Sequence, residues 1–279
     1  VRHTDTGEEE ACPYDRLVIA TGASPIIPPM EGVKLEGVFP MRTPENAVEA
    51  RAYADVRQAK SAVVVGGGFI GVELAESLLE KGVSVTVVDA APQLLPGVFD
   101  PEMAGYIRRH LESKGIRVLT GVKVEKIAGE KAAAAVETSA GVLPAELVIL
   151  SVGIRPNTAF LEGSGLKMER GKILVDAKMQ TNLPNVYAAG DCVLVTNRLT
   201  GERQWSPMGS SANLEGRTLA QILAGEDKTY PGVLGTGVVK LPGLNCGRTG
   251  LTEEGARQAG CDVETVLAVT DDKAHYYPD

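Results

Sequence analysis

One short segment constrains the fold of this chain more than any other: residues 66–71 read GGGFIG. An entirely apolar run, residues 63–65, comes directly before it, and residues 69–81 have the pattern of a helix. A second apolar run follows at residues 83–88. Two apolar strands joined by a helix are typical of a parallel βαβ unit. The segment therefore predicts an α/β fold.

The spacing of these glycines, between a strand and a helix, is the fingerprint of a dinucleotide site. Gly66 would permit the tight turn, Gly68 would let the backbone approach a pyrophosphate, and Gly71 would let helix and strand pack closely. The start of the helix supplies N–H groups to phosphates. Asp89, at the end of the second strand, can accept hydrogen bonds from ribose hydroxyls and would repel a 2′-phosphate. We therefore predict NADH rather than NADPH. A βαβ unit without a ligand is the alternative.

Composition excludes several other classes. The chain has 279 residues, which suggests about two domains or pieces of three. Its net charge of −8 disfavours nucleic-acid binding. No apolar run approaches the roughly 18–20 residues of a membrane span, and the first ten residues lack an apolar signal core, so we expect a cytoplasmic protein. The four cysteines form no close pair, so we expect no metal site and mostly buried thiols.

Further helices are predicted where a capping residue precedes a helical pattern. The predicted caps are Thr43, Asp100 and Thr252, and a further helix is predicted over residues 210–224. The helix after Asp100 should bury one apolar face. That face is predicted to consist of Met103, Tyr106, Ile107 and Leu111.

Two further turns present small residues at the end of an apolar strand, where α/β proteins bind ligands. Asp191 follows such a strand and the sequence AAG, and Thr21-Gly22-Ala23 has the same form. Asp191 is either a ligand-binding carboxylate or a cap on a surface turn. Spacing alone leaves both interpretations open.

Four segments together resemble the FAD-dependent pyridine nucleotide-disulfide oxidoreductases. They read LVIATGASP, VVVGGGFIGVELAESLLEKGVSVTVVD, LVILSVGIRPNT and TNLPNVYAAGDC. The resemblance is nearest to the branch of NADH oxidases, NADH peroxidases and coenzyme A-disulfide or persulfide reductases. It implies a Rossmann-type NAD-binding domain inserted in a split FAD-binding domain, followed by the start of an α+β interface domain that forms a homodimer. The implied parts are residues 1–41 (FAD), 42–158 (NAD), 159–228 (FAD) and 229–279 (interface).

The resemblance also implies cofactor contacts. Those to NADH would come from Gly66, Gly68 and Gly71 at the pyrophosphate, Asp89 at the ribose, and Ile70, Glu73 and Gly153 around the nicotinamide. Phe69 is also expected to bind the cofactor. Those to FAD would come from Thr21, Gly22 and Ala23, from Asp191 at the ribityl chain, and from Met208, Gly209 and Ser210 at the pyrimidine edge of the flavin.

The implied reaction is hydride transfer from NADH to FAD, with electrons passing to a cysteine-linked acceptor such as coenzyme A disulfide, persulfide or polysulfide. The alternatives are an NADH oxidase or peroxidase that reduces oxygen or peroxide, a flavin-free NAD-binding module, and a simple NAD dehydrogenase. Residues before Tyr14 do not match the family's first FAD-binding unit, which carries its redox cysteine. We therefore expect a fragment that is inactive alone, in which Cys192 does not face the flavin. Tyr276 and Tyr277 either protonate a departing thiolate or end an ordinary strand.

Overall fold

The computed structural model describes residues 1–270, which contain 18 strands, five α-helices and a 3₁₀ turn at Ala159–Leu161. The strands are β1 (Leu17–Ile19), β2 (Ala23–Pro25), β3 (Val38–Pro40), β4 (Ser61–Val65), β5 (Ser84–Asp89), β6 (Arg117–Thr120), β7 (Val124–Gly129), β8 (Ala133–Thr138), β9 (Gly141–Pro144), β10 (Leu147–Leu150), β11 (Ile154–Pro156), β12 (Met168–Glu169), β13 (Lys172–Leu174), β14 (Val186–Ala188), β15 (Val193–Thr196), β16 (Arg203–Gln204), β17 (Gly237–Leu241) and β18 (Leu244–Arg248). The helices are α1 (Pro44–Arg57), α2 (Phe69–Glu80), α3 (Pro101–Ser113), α4 (Gly209–Leu223) and α5 (Glu253–Gln258). None of these helices is long and apolar enough to cross a bilayer.

A five-stranded parallel sheet forms the largest layer, in the order β3-β10-β4-β5-β6. Strand β4 has buried side chains on both faces. Val64 belongs to a core shared with helices, whereas Val63 and Val65 belong to a core shared with the antiparallel sheet β7-β8-β9. Burial on both faces explains why the strand is wholly apolar. The predicted α/β class and parallel βαβ unit are confirmed.

Two of the three predicted helix caps form a capping hydrogen bond. Thr43 caps α1 as predicted, with Pro44 at the first position and the Asn46 side chain closing a capping box. Thr252 also caps α5, since its hydroxyl accepts the Gly255 N–H at 3.1 Å. Asp100 stands at the start of α3, but its side chain makes no cap there.

The prediction that the Asp100 side chain caps α3 is therefore wrong. Its carboxylate accepts the backbone N–H of Glu253 at 2.9 Å, and so fastens the start of α5 to the start of α3. The predicted apolar face of α3 is also partly wrong. Ile107 and Leu111 are buried, together with Ala104, but Met103 and Tyr106 are 41% and 51% exposed.

Segments that precede the five-stranded sheet in the sequence pair with segments that follow it. Strand β1 runs parallel to β14, and β2 runs antiparallel to β11. A second core lies here, which includes Ile19, Val186 and Leu219. Near the end of the described residues, the hairpin β17–β18 packs on α2, and its Val239 and Leu241 join the core of the five-stranded sheet.

Candidate functional site

The glycine loop between β4 and α2 is shaped by close backbone approach. Gly66 has a φ of +108°, in the region that favours glycine, and a Cβ there would overlap the carbonyl of Ser151. A Cβ on Gly71 would overlap the carbonyl of Gly66. The Ser151 hydroxyl donates to the carbonyls of Val65 and Gly66, in each case at 3.0 Å. The fold itself therefore requires glycine at positions 66 and 71.

Gly68 differs from these two glycines. Its backbone is extended, with φ −79° and ψ −174°, and a Cβ there would have no atom within 4 Å. The folded chain could hold a larger residue at this position, so packing does not explain the glycine. Gly68 stands before the first turn of α2 and offers no side chain to cap it. The open space above helix N–H groups fits the pyrophosphate of a dinucleotide.

The carboxylate of Asp89 lies beside this loop. Its Oδ2 accepts the Gly67 N–H at 2.6 Å, and its Oδ1 accepts the Ala91 N–H at 2.7 Å. A carboxylate oxygen can accept two hydrogen bonds, so each oxygen keeps capacity for a ribose hydroxyl. The sequence predicted neither the bond to Gly67 nor the bond to Ala91, and the contact of Asp89 with a ribose stays a prediction.

Two cavities line the carboxyl edge of the parallel sheet and form one groove. The first, of about 490 Å³, runs past Asp89 and Gly66. The second, of about 570 Å³, lies beyond the start of α2. The two cavities share the wall residues Gly68, Val98, Ser151 and Gly153. An elongated ligand could therefore extend from Asp89 into the second cavity.

The second cavity brings together residues from both predicted cofactor sites. Phe69, Ile70 and Gly153 line one side, and Met208 and Gly209, at the start of α4, line the other. The neighbouring Ser210 is exposed and is not among the lining residues. The predicted nicotinamide and flavin contacts therefore meet across one cavity.

Glu73, which the resemblance places near the nicotinamide, is not among the residues that line this cavity. Its carboxylate is 3.3 Å from the N–H of Lys240 in β17, and it lines a smaller pocket of about 320 Å³ with Ile70. Glu73 therefore contacts the hairpin in this structure, and its contact with the nicotinamide stays a prediction.

Asp191 is an ion-paired residue that does not itself line either cavity. Its Oδ2 forms an ion pair with Arg42, and its backbone carbonyl accepts the indole N–H of Trp205 at 2.8 Å. Arg42 and Trp205 line the second cavity, and the Asp191 side chain is only 12% exposed. The sequence did not predict Arg42 or Trp205 as partners of Asp191, because neither residue belongs to a motif.

Thr21, Gly22 and Ala23 line neither of these two cavities. Thr21 and Gly22 lie in the turn between β1 and β2, where Gly22 has a φ of +66°, and Ala23 is the first residue of β2. Asn157 holds the turn through its Nδ2 to the Thr21 carbonyl at 3.0 Å and through its N–H to the Gly22 carbonyl at 2.9 Å.

A buried acid supports the turn that carries Asp191. Glu215 of α4 is 2% exposed, and its Oε2 accepts the Gly190 N–H at 2.7 Å. Burial raises the pKa of the Glu215 carboxyl to about 7, against the opposing effects of the Gly190 N–H and of the Tyr230 hydroxyl. A charged residue on the buried face of a helix was a signal that could have identified it from sequence.

The cysteines separate into two classes. Cys192 and Cys246 are buried, whereas Cys12 and Cys261 are exposed, so the expectation of mostly buried thiols holds for two of four. The Sγ of Cys192 lies 3.4 Å from the Ala189 carbonyl and does not line either cavity. Across residues 1–270, no group of three or more His, Cys, Asp or Glu could hold a metal ion. Tyr276 and Tyr277 lie outside the described residues.

Known proteins are similar to this chain over most of its length. Residues 1–212 match the family described as pyridine nucleotide-disulphide oxidoreductase. The NADH oxidase of Methanocaldococcus jannaschii is 41% identical over 273 residues, which are 98% of this chain and 61% of that protein. The solved NAD-dependent persulfide reductase from A. fulgidus superposes with a TM-score of 0.90 at 39% identity, over 95% of this chain and 49% of that one. A solved FAD-dependent pyridine nucleotide-disulphide oxidoreductase from Desulfovibrio vulgaris gives a TM-score of 0.84 at 39% identity, over 94% and 66%.

Proposed function

Because the chain belongs to the pyridine nucleotide-disulphide oxidoreductase family, we propose that it forms part of a flavoprotein that oxidises NADH and reduces a cysteine-linked acceptor through FAD. The family resemblance carried by the four sequence segments is confirmed by the match. One observation carries the proposal: the groove that begins at Asp89 opens into a cavity bounded by the starts of α2 and α4.

The NADH half of the proposal rests on the first cavity. The N–H groups at the start of α2 would bind the pyrophosphate beside Gly68, and Asp89 would accept hydrogen bonds from the adenine ribose. Phe69, Ile70 and Gly153 would enclose the nicotinamide in the second cavity. These apolar walls would exclude water from the face that gives up hydride.

The FAD half rests on α4. Met208 and Gly209 place the positive end of this 15-residue helix at the second cavity, which suits a ring edge that gains negative charge on reduction. Asp191 would bind the ribityl chain, and the turn at residues 21–23 would contact FAD elsewhere. When bound, FAD would supply the ring that accepts hydride from NADH.

The acceptor is proposed from the relatives, because the chain spans only 61% of the length of the M. jannaschii protein. We favour a disulfide, persulfide or polysulfide, in line with the persulfide reductase name of a 39% identical solved structure. Reduction of oxygen or peroxide is the second candidate, since the 41% identical relative is named NADH oxidase. For the whole protein we also propose a homodimer.

The proposal is tested with protein expressed from the full coding sequence. We expect flavin absorbance and NADH oxidation that accelerates when coenzyme A disulfide or polysulfide is added under nitrogen. Turnover that requires oxygen and ignores both sulfur acceptors would favour the oxidase. Colourless protein that binds NADH without turnover would contradict the proposal and favour a flavin-free binding module.

A further inference from the structure

Two acidic side chains are buried among the described residues, and neither belongs to a predicted cofactor site. Glu76 of α2 is 8% exposed and lies 3.9 Å from the Lys240 ammonium. Glu215 of α4 is 2% exposed. A buried carboxylate needs hydrogen-bond donors to offset its lost hydration. The donors that face Glu215 show what it does.

The first donor is the turn that precedes Asp191. Gly190 has a φ of +84°, and its N–H donates to Glu215 at 2.7 Å. A Cβ on Gly190 would lie 3.7 Å from the Cβ of Ala212, so the turn packs directly on α4. Glu215 therefore fixes the Gly190–Asp191 turn to the same helix whose first residue, Gly209, lines the second cavity.

The other groups that face Glu215 act in both directions. The hydroxyl of Tyr230 faces the Glu215 carboxyl and lowers its pKa. The charge of Asp191 raises that pKa, and Asp191 is in turn paired with Arg42. Burial is the largest influence. The carboxyl is thus poised to change charge in the neutral range.

We infer that Glu215 is a positioning residue whose charge state sets how firmly the Gly190–Asp191 turn is held for the ribityl chain of FAD. The inference rests on the proposed function, because Asp191 must contact FAD for the turn to matter. An ionised carboxylate accepts hydrogen bonds about twice as strong as those of a neutral acid. Above neutral pH the turn is held firmly, and below it the hold weakens.

The primary test is the FAD dissociation constant between pH 6 and pH 8, measured by titration of the apoprotein expressed from the full coding sequence. We expect binding at pH 6 to be about fivefold weaker than at pH 8, the difference between a charge-assisted and a neutral hydrogen bond. Glu215→Gln keeps an acceptor for Gly190 but cannot titrate, so its FAD binding should not vary with pH. Tyr230→Phe removes the hydroxyl that lowers the pKa of Glu215, so the midpoint of this variant should move to higher pH.

Glu76→Gln is the matched control, since it neutralises a buried acid on another helix and should leave the wild-type pH profile unchanged. A second measurement needs no FAD: amide hydrogen exchange at Gly190, corrected for its intrinsic pH dependence, should slow from pH 6 to pH 8 in wild type and stay constant in Glu215→Gln.

The outcomes separate the two proposals. Wild-type FAD binding that is flat from pH 6 to pH 8, or a Glu215→Gln variant that keeps the slope, overturns the role of Glu215 and leaves the proposed function intact. If no variant binds FAD, the proposed function fails. In that case the exchange rate of the Gly190 amide still decides whether Glu215 controls the turn.

Discussion

The carboxylate of Asp89 accepts the backbone N–H of Gly67 at 2.6 Å, so the residue that ends β5 is bonded to the loop that follows β4. Its second oxygen holds the Ala91 N–H. One side chain therefore shapes the turn at the proposed pyrophosphate site while it remains available to a ribose. Under the proposed function, cofactor preference and loop geometry would depend on the same residue.

Replacement of Asp89 by serine is expected to weaken NADH binding by about tenfold or more, because hydrogen bonds to a charged group contribute roughly 1.5–3 kcal/mol. Discrimination against NADPH should relax, since no carboxylate would repel the 2′-phosphate. Titration of both cofactors measures this. Asp55→Ser is the control, as Asp55 is a half-exposed residue paired with Lys81 on the surface. An unchanged preference for NADH would remove Asp89 from the site.

Gly68, which precedes α2, and Gly71, in the first turn of α2, should respond differently to replacement by alanine. Gly68→Ala places a methyl group in open space, so the melting temperature should stay within a few degrees while the dissociation constant for NADH rises by about tenfold or more. Gly71→Ala forces a Cβ onto the carbonyl of Gly66 and should cost at least 1–3 kcal/mol of unfolding free energy. Thermal melts and NADH titrations distinguish them. Unweakened NADH binding by folded Gly68→Ala would contradict the proposed pyrophosphate position.

The ion pair between Arg42 and Asp191 should matter more than its surface counterpart. Arg42→Met leaves a largely buried carboxylate without its cation, and we expect a loss of about 1–2 kcal/mol in unfolding free energy together with weaker FAD binding. Arg57→Met breaks a pair with Glu36 in which both side chains are more than half exposed, and should change stability by less than about 0.5 kcal/mol. Denaturant unfolding tests both. Equal losses would argue against a special role for Arg42.

Thiol reactivity should follow burial. In the native protein, Cys12 and Cys261 should react rapidly with a thiol reagent, whereas Cys192 and Cys246 should react only after unfolding. Burial also raises the pKa of the Cys246 thiol, which reduces its thiolate fraction further. Mass spectrometry after timed alkylation identifies the modified residues. Rapid labelling of Cys192 in the native protein would contradict this expectation and make Cys192 a candidate redox residue.

Sequence predicted the fold best where local chemistry and burial agree. The βαβ unit was correct because β4 is apolar on both faces and α2 begins directly after the glycine loop. The error in α3 has a physical reason. Met103 and Tyr106 lie one residue from the stripe formed by Ala104, Ile107 and Leu111, and adjacent helical stripes differ by only about 100°. Which stripe faces inward is decided by contact with the sheet.

The site was predicted less completely, because motifs report backbone geometry better than long-range partners. The glycine loop and Asp89 were found from spacing. Arg42 was missed because its ion pair joins positions 149 residues apart, and no local pattern carries that contact. The Asp100 carboxylate was assigned to its own helix for the same reason, since Glu253 is remote in sequence. The contacts of Thr21, Gly22 and Ala23 with FAD stay a prediction.

The parallel pairing of β1 with β14 has a consequence for how the chain folds. Leu17 pairs with Val186, and all five strands of the parallel sheet lie between these two residues in the sequence. Closing a long flexible loop costs entropy that grows with the logarithm of the loop length. If the intervening sheet folds first, the free loop is replaced by a compact body and the search is shortened. Formation of the β1–β14 pair is then a late event, governed by non-local contacts that slow folding.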